Sequence, residues 1–180
     1  MDTTAQHRVR ARLVTGSLER TEDHPVPYSL DIAAAPNPDI STPELGPVLQ
    51  LRVVQWPEDP EREREILKTF VPNASALRQA VLGAQQGQRH DFLYPEEAPN
   101  WGVRIEGIDD QGTQEVLLRR LDPDSGIGAD DAFALEPQDL PALLEHLGTA
   151  RIELREARRE FFSDGDADTN DGQVTGEGGL

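Results

Sequence analysis

Alternation narrows the fold more than any other feature: short runs in which every second residue is apolar recur along most of the chain. A period of two sets one row of side chains against a core and the next row toward water, which is the signature of a half-buried β-strand. In RVRARLV, Val9, Ala11 and Leu13 share one face, while Arg8, Arg10 and Arg12 share the other. Tyr28, Leu30 and Ile32 line one face of YSLDI, and Leu49, Leu51 and Val53 one face of LQLRVVQW, which Pro57 ends. A Pro- and Asn-rich loop over 35–47 separates these two. The segment EDPEREREILKTF starts charged, as a helical turn would, and turns apolar into a strand near Phe70.

The period then changes. Asn73 is placed to cap a helix, and Leu77, Ala80, Val81 and Ala84 fall at i, i+3, i+4 and i+7 before the stop at Gly87. The second half runs through the same order. Phe92 and Tyr94 mark a short strand, and Trp101, Val103 and Ile105 alternate in the next. A hairpin across Asp109–Gly112 leads into EVLLRRL. The loop DPDSGIGADD precedes a short strand around Phe133 and Leu135. After Pro137, with Asp139 as cap, Leu140, Leu143, Leu144 and Leu147 restore the helical spacing.

These elements predict an α+β fold of antiparallel, strand-rich sheets. Two arrangements fit: a pair of similar ββββα units over 8–87 and 90–148, or one α+β domain whose pattern repeats by chance. Either makes a single compact domain over residues 1–162. A long C-terminal helix, TARIELREARREFF, carries the stripe Ala150, Leu154, Ala157 and Phe161, suited to core packing or to a homodimer seam. From Ser163, the stretch SDGDADTNDGQVTGEGGL has almost no apolar residue, so 163–180 is expected to be a disordered acidic tail.

Charge divides the chain. Residues 1–90 hold 12 acidic and 10 basic side chains, whereas 91–180 hold 22 and 7. Such an acidic half repels nucleic acid and membrane and attracts basic partners, although charge alone also keeps a protein soluble. No run approaches the roughly 20 apolar residues of a membrane span. The N-terminal MDTTAQHRVRAR has no signal-peptide core, so a cytoplasmic location is expected.

Catalytic chemistry finds little to stand on. The chain has no cysteine, and His7, His24, His90 and His146 form no metal-ligand spacing. No nucleophile elbow, P-loop or dinucleotide fingerprint is present. The expectation is a protein without enzyme activity or cofactor. The tail residues Asp164, Asp166 and Asp168, with DGQVTGE after them, resemble the calcium loop of an EF-hand. The register departs from it: counted from Asp166, Gly172 falls at position seven rather than six, and counted from Asp164 the last ligand would be Thr175. A solvated acidic tail is the expected reading.

Two binding functions remain. The first is a regulatory or protein-interaction role, in which Asp122, Asp124, Asp130 and Asp131 of the 122–131 loop and Asp164, Asp166 and Asp168 of the tail meet a basic protein partner. The second is single-stranded nucleic-acid binding through Arg10, Arg12, Arg52, Arg104 and Arg119, which share the polar faces of the strands. Strand-rich units closed by helices are similar, in topology only, to Whirly-type single-strand binders. Against that use, Tyr28, Trp101 and Phe133 fall on the apolar faces, and Asp31, Glu106 and Glu115 stand where they can neutralise the arginines.

Overall fold

The computed structural model describes residues 7–14, 28–56 and 64–170. The chain runs β1 (His7–Val14), β2 (Tyr28–Ala35), β3 (Val48–Gln55), β4 (Arg64–Val71), α1 (Ala74–Ala84), β5 (Arg89–Tyr94), β6 (Trp101–Asp110), β7 (Thr113–Leu121), β8 (Gly128–Leu135) and α2 (Leu140–Asn170). This is the order ββββα twice over. All eight strands join one antiparallel sheet in the order β4-β3-β2-β1-β8-β7-β6-β5, so each unit is a meander and β1 meets β8 where the two units join.

Local chemistry accounts for the breaks between elements. The Asn73 side chain accepts hydrogen bonds from the backbone N–H of Ser75 (2.9 Å) and Ala76 (3.1 Å), satisfying two donors that the first turn of α1 leaves free. The β6–β7 hairpin turns on Gln111 and Gly112, with φ of 52° and 86°. Two successive positive φ values match the right-handed twist of the flanking strands. α2 is preceded by a 3₁₀ turn over Pro137–Asp139 and would extend about 46 Å at 1.5 Å per residue.

Both helices lie on one face of the sheet, and each covers the strands of the other unit. α1 packs on β5, β6 and β7, α2 packs on β1, β2 and β3, and the helices touch each other. Leu30, Ile32, Leu51, Leu77, Val81, Ile105, Leu118, Leu135, Leu143 and Leu147 belong to this shared core. A fully buried leucine of this kind contributes about 1.5–3 kcal/mol. The sheet curls enough for its edge strands β4 and β5 to approach each other. There Phe70 of β4 packs edge-on against Trp101 (ring centroids 4.9 Å) and near Tyr94 (6.2 Å).

Two sequence expectations need revision. The helix does not stop at residue 162: its backbone stays helical through Asn170, so Ser163–Asn170 belong to α2 and only 171–180 lie outside the described residues. The polar face of the sheet is also less solvated than strict alternation implies. Val54, Leu117, Ala132 and Ala134 are buried on that side, the last three with Val14 in a second small cluster. Pro57 and the proposed helical turn before β4 fall outside the described residues, apart from Arg64 onward. No helix among the described residues is long and apolar enough to cross a membrane.

Candidate functional site

The face of the sheet opposite the helices gathers most of the strand arginines, because β1, β3, β6 and β7 each turn their polar row that way. Register decides what those arginines meet. Arg8 pairs across β1–β2 with Asp31, and Arg52 pairs with the same residue across β2–β3. Asp31 is accordingly the hub: Arg8 donates from Nε (2.7 Å) and Nη2 (2.8 Å) to its two carboxylate oxygens, and Arg52 Nη2 adds a third bond at 3.1 Å. At 2 % exposure that carboxylate is effectively out of water, so the fork of Arg8 and the charge of Arg52 substitute for its hydration.

The other arginines follow the same rule. Arg12 donates to the buried Glu115 at 2.8 Å. Arg104 forms a two-bond pair with Asp91 (2.8 and 3.0 Å), directly opposite across β5–β6. Its hydrogen bonds hold the Asp91 carboxyl below the ordinary aspartate value. Arg119 donates to Glu106 at 3.1 Å and to the carbonyls of Ala129 and Asp130. Of the five candidate nucleic-acid residues, Arg52, Arg104 and Arg119 are therefore neutralised by acids on the adjacent strand, and Arg12 by Glu115 across the intervening β8. Only Arg10 stands exposed with no ion pair among the described residues.

The aromatic residues divide differently from the sequence reading. Tyr28 and Phe133 do turn to the core, 5.3 Å apart, and Trp101 packs on Phe70. But Trp56 lies on the arginine face, with its Nε1 donating to Ser29 Oγ (2.7 Å) and the Arg8 guanidinium stacked over its ring at 3.8 Å. Arg8, Asp91 and Trp56 were not singled out from sequence as site residues. The period-two phase of β1 and β3 places Arg8 and Trp56 on this face, and register alone supplies Asp91.

The acidic candidates occupy two places. Asp122 and Asp124 sit in the β7–β8 turn, where Asp122 Oδ1 accepts from the Asp124 N–H at 2.9 Å. That backbone bond lowers the Asp122 pKa from its ordinary value, so the turn is anionic at neutral pH. Asp130 and Asp131 are strand residues of β8 and not loop residues, a correction to the 122–131 loop. Asp164 projects from the outer part of α2, whose backbone also carries Asp166 and Asp168. Asp122, Asp124, Asp130, Asp131 and Asp164 are all exposed, and none makes an ion pair among the described residues. A calcium loop must leave its helix to wrap an ion, whereas this backbone remains helical to Asn170.

The α2 stripe splits in two. Ala150 and Leu154 are buried in the core, while Phe161 and Phe162 are each 47 % exposed beside Gly46. Arg158 fastens this part of the helix, donating from Nε to the Pro47 carbonyl (2.9 Å) and from Nη2 to the Pro72 carbonyl (2.6 Å).

No protein-family model and no curated protein matches the chain. Among solved structures, the crystal structure of WHY1 from Arabidopsis thaliana matches over 93 % of this chain and 96 % of its own, at 8 % identity and a TM-score of 0.42. A likeness of that size assigns nothing to the present chain.

Proposed function

We propose that this is a non-enzymatic, cytoplasmic interaction protein that presents an acidic surface to a basic protein partner. One observation carries the reading: the cations of the sheet face other than Arg10 are paired internally with Asp31, Glu115, Asp91 and Glu106, while the acids of the β7–β8 turn and outer α2 are left to solvent. A field of unpaired carboxylates speeds encounter with a cationic surface and disfavours polyanions. A second reading, single-stranded nucleic-acid binding on the arginine face, is favoured by Trp56 beside Arg8 and by the unpaired Arg10.

Fluorescence anisotropy with a labelled oligo-arginine peptide and with a single-stranded thymidine oligonucleotide, at low and moderate salt, separates the two. The acidic-surface reading expects peptide binding that weakens with salt and with Asp122→Lys plus Asp124→Lys, and no oligonucleotide binding. Oligonucleotide binding that is lost in Arg10→Glu would replace it with the second reading.

A further inference from the structure

A cleft among the described residues borders the arginine face at Asp91 and lies apart from the β7–β8 turn. It is open, about 640 Å³ in volume, and runs along β5 between that strand, the start of α1 and the β2–β3 loop. A smaller hollow of about 370 Å³ continues it toward the other end of β5, between Arg89 and the middle of α1. The two share Ala76 and His90, so a single groove follows the whole of β5 with α1 as its opposite wall.

β5 is a sheet edge. Among the described residues its one strand neighbour is β6, and no further strand is hydrogen-bonded between it and β4. Gly107 N–H donates to the Gln88 carbonyl (3.0 Å), which sets the hairpin phase: His90, Phe92 and Tyr94 turn their amides to β6, and Arg89, Asp91 and Leu93 turn theirs outward. An edge so exposed is a template for another strand. The groove walls offer apolar contacts in Ala76 and Phe92, and the partly exposed Leu45 stands at its rim.

Charge selects the occupant. At the Tyr94 end the lining carries Asp39, Glu96 and Glu97, while the nearby Arg158 is turned to the Pro47 and Pro72 carbonyls. Asp39 is held anionic by hydrogen bonds from the Ser41 and Thr42 hydroxyls, and both glutamates are exposed. Arg89 and His90 lie at the other end.

We infer that this groove binds an extended, basic peptide segment of a partner protein, added as a strand antiparallel to β5 with its lysines or arginines beside Glu96 and Glu97. Main-chain hydrogen bonds to the edge supply affinity, and the acidic end supplies selectivity. The inference rests on the acidic-surface reading and adds to it a second point of contact, at the β5 edge, for a partner segment that can extend.

The test is a ¹⁵N-resolved NMR titration of the full chain with a ten-residue peptide carrying three lysines in its first half and alternating valine and threonine after them. A second peptide of the same sequence is N-methylated at every other residue, which keeps the charge but removes one row of strand donors. Shifts at Arg89–Tyr94 and Asn73–Ala80 are expected with the first peptide and not with the second. Glu96→Lys with Glu97→Lys should weaken binding about tenfold, a larger loss than the same reversal of Asp122 and Asp124 gives with this peptide. Equal binding of the methylated peptide, or shifts confined to the β7–β8 turn and α2, would overturn the groove while sparing the acidic-surface reading. Absence of any binding at low salt would remove both. A concentration-dependent dimer that shifts the same β5 amides without peptide would show the edge occupied by a second copy, and the inference would fall.

Discussion

The two ββββα units share one order of elements and differ in almost everything built on it. The first closes with an 11-residue helix, the second with one of 31 residues. The first hides its central acid: Asp31 is buried under Arg8 and Arg52. The second leaves Asp91 at the surface of an edge strand, paired with Arg104. The helices are exchanged, each covering the other unit's strands, so a topological repeat has become one indivisible core. A repeated pattern in sequence therefore does not mark out two independent folding units.

The largest effect tests that indivisibility. Residues 1–87 and 88–180 expressed separately should each fail to fold, because each sheet half would expose the face that the other half's helix buries. Mixing them should restore a dispersed amide NMR spectrum. A dispersed spectrum from either alone would break the comparison at its root.

Next in size is the joint between α1 and β6. A Cβ at Gly107 would stand 1.8 Å from the Ala84 carbonyl oxygen, a contact with backbone that no rotamer can relieve. Gly107→Ala should cost about 2–4 kcal/mol in denaturant unfolding. A loss well below that would mean that α1 can lift from the sheet cheaply.

Much of this was legible in the residues. Period-two alternation located the strands, and the Asn73 cap and the leucine spacing located the helices, because these are local signals that tertiary contacts reinforced; the leucine helix and TARIELREARREFF, however, run through Gly148 as one helix, Leu140–Asn170. The neutral state of the arginine face was legible too, since Asp31, Glu106 and Glu115 sit in phase with their partners. The exchange of helices was not, because it depends on long-range packing that no local period encodes. Nor was the joining of β1 to β8, which buries both faces near Leu117. Low apolarity in 163–170 hides the continuation of α2, since helical backbone needs no apolar residue once Arg158 and the phenylalanines hold the preceding turns.

The ion pairs sharpen the contrast between units. Asp31→Ala removes three charge-assisted hydrogen bonds from a buried carboxylate site, and should destabilise by about 2–3 kcal/mol. Urea midpoints of this variant and of Arg8→Ala, taken with their double mutant, should reveal strong coupling. Simple additivity would show the buried hub to be no stronger than a surface pair. The long helix offers an opposite sign. A Cβ at Gly148 meets nothing within 4 Å, so Gly148→Ala should stabilise by about 0.5–1 kcal/mol through helix propensity alone. A loss on thermal melting would reveal a neighbour pressed close to α2 at that turn.

Asp91 gives the smallest effect and the most specific one. The Arg104 hydrogen bonds depress its pKa below the ordinary value of 3.8, so the folded state binds the proton less readily than the unfolded chain. Its contribution is therefore complete above the unfolded value and disappears as pH falls through the lower folded one. Exposure and solvent screening keep that contribution small, about 0.5 kcal/mol at neutral pH. Asp91→Asn compared with the parent chain should show this difference in urea unfolding at pH 7, a smaller one near pH 3.5, and none in stronger acid or in molar salt. A difference that survived both acid and salt would mean that Asp91 acts through neutral hydrogen bonding in the β5 edge. The second unit's pair would then be structural in the same sense as the buried hub of the first, and the contrast between them would be one of degree alone.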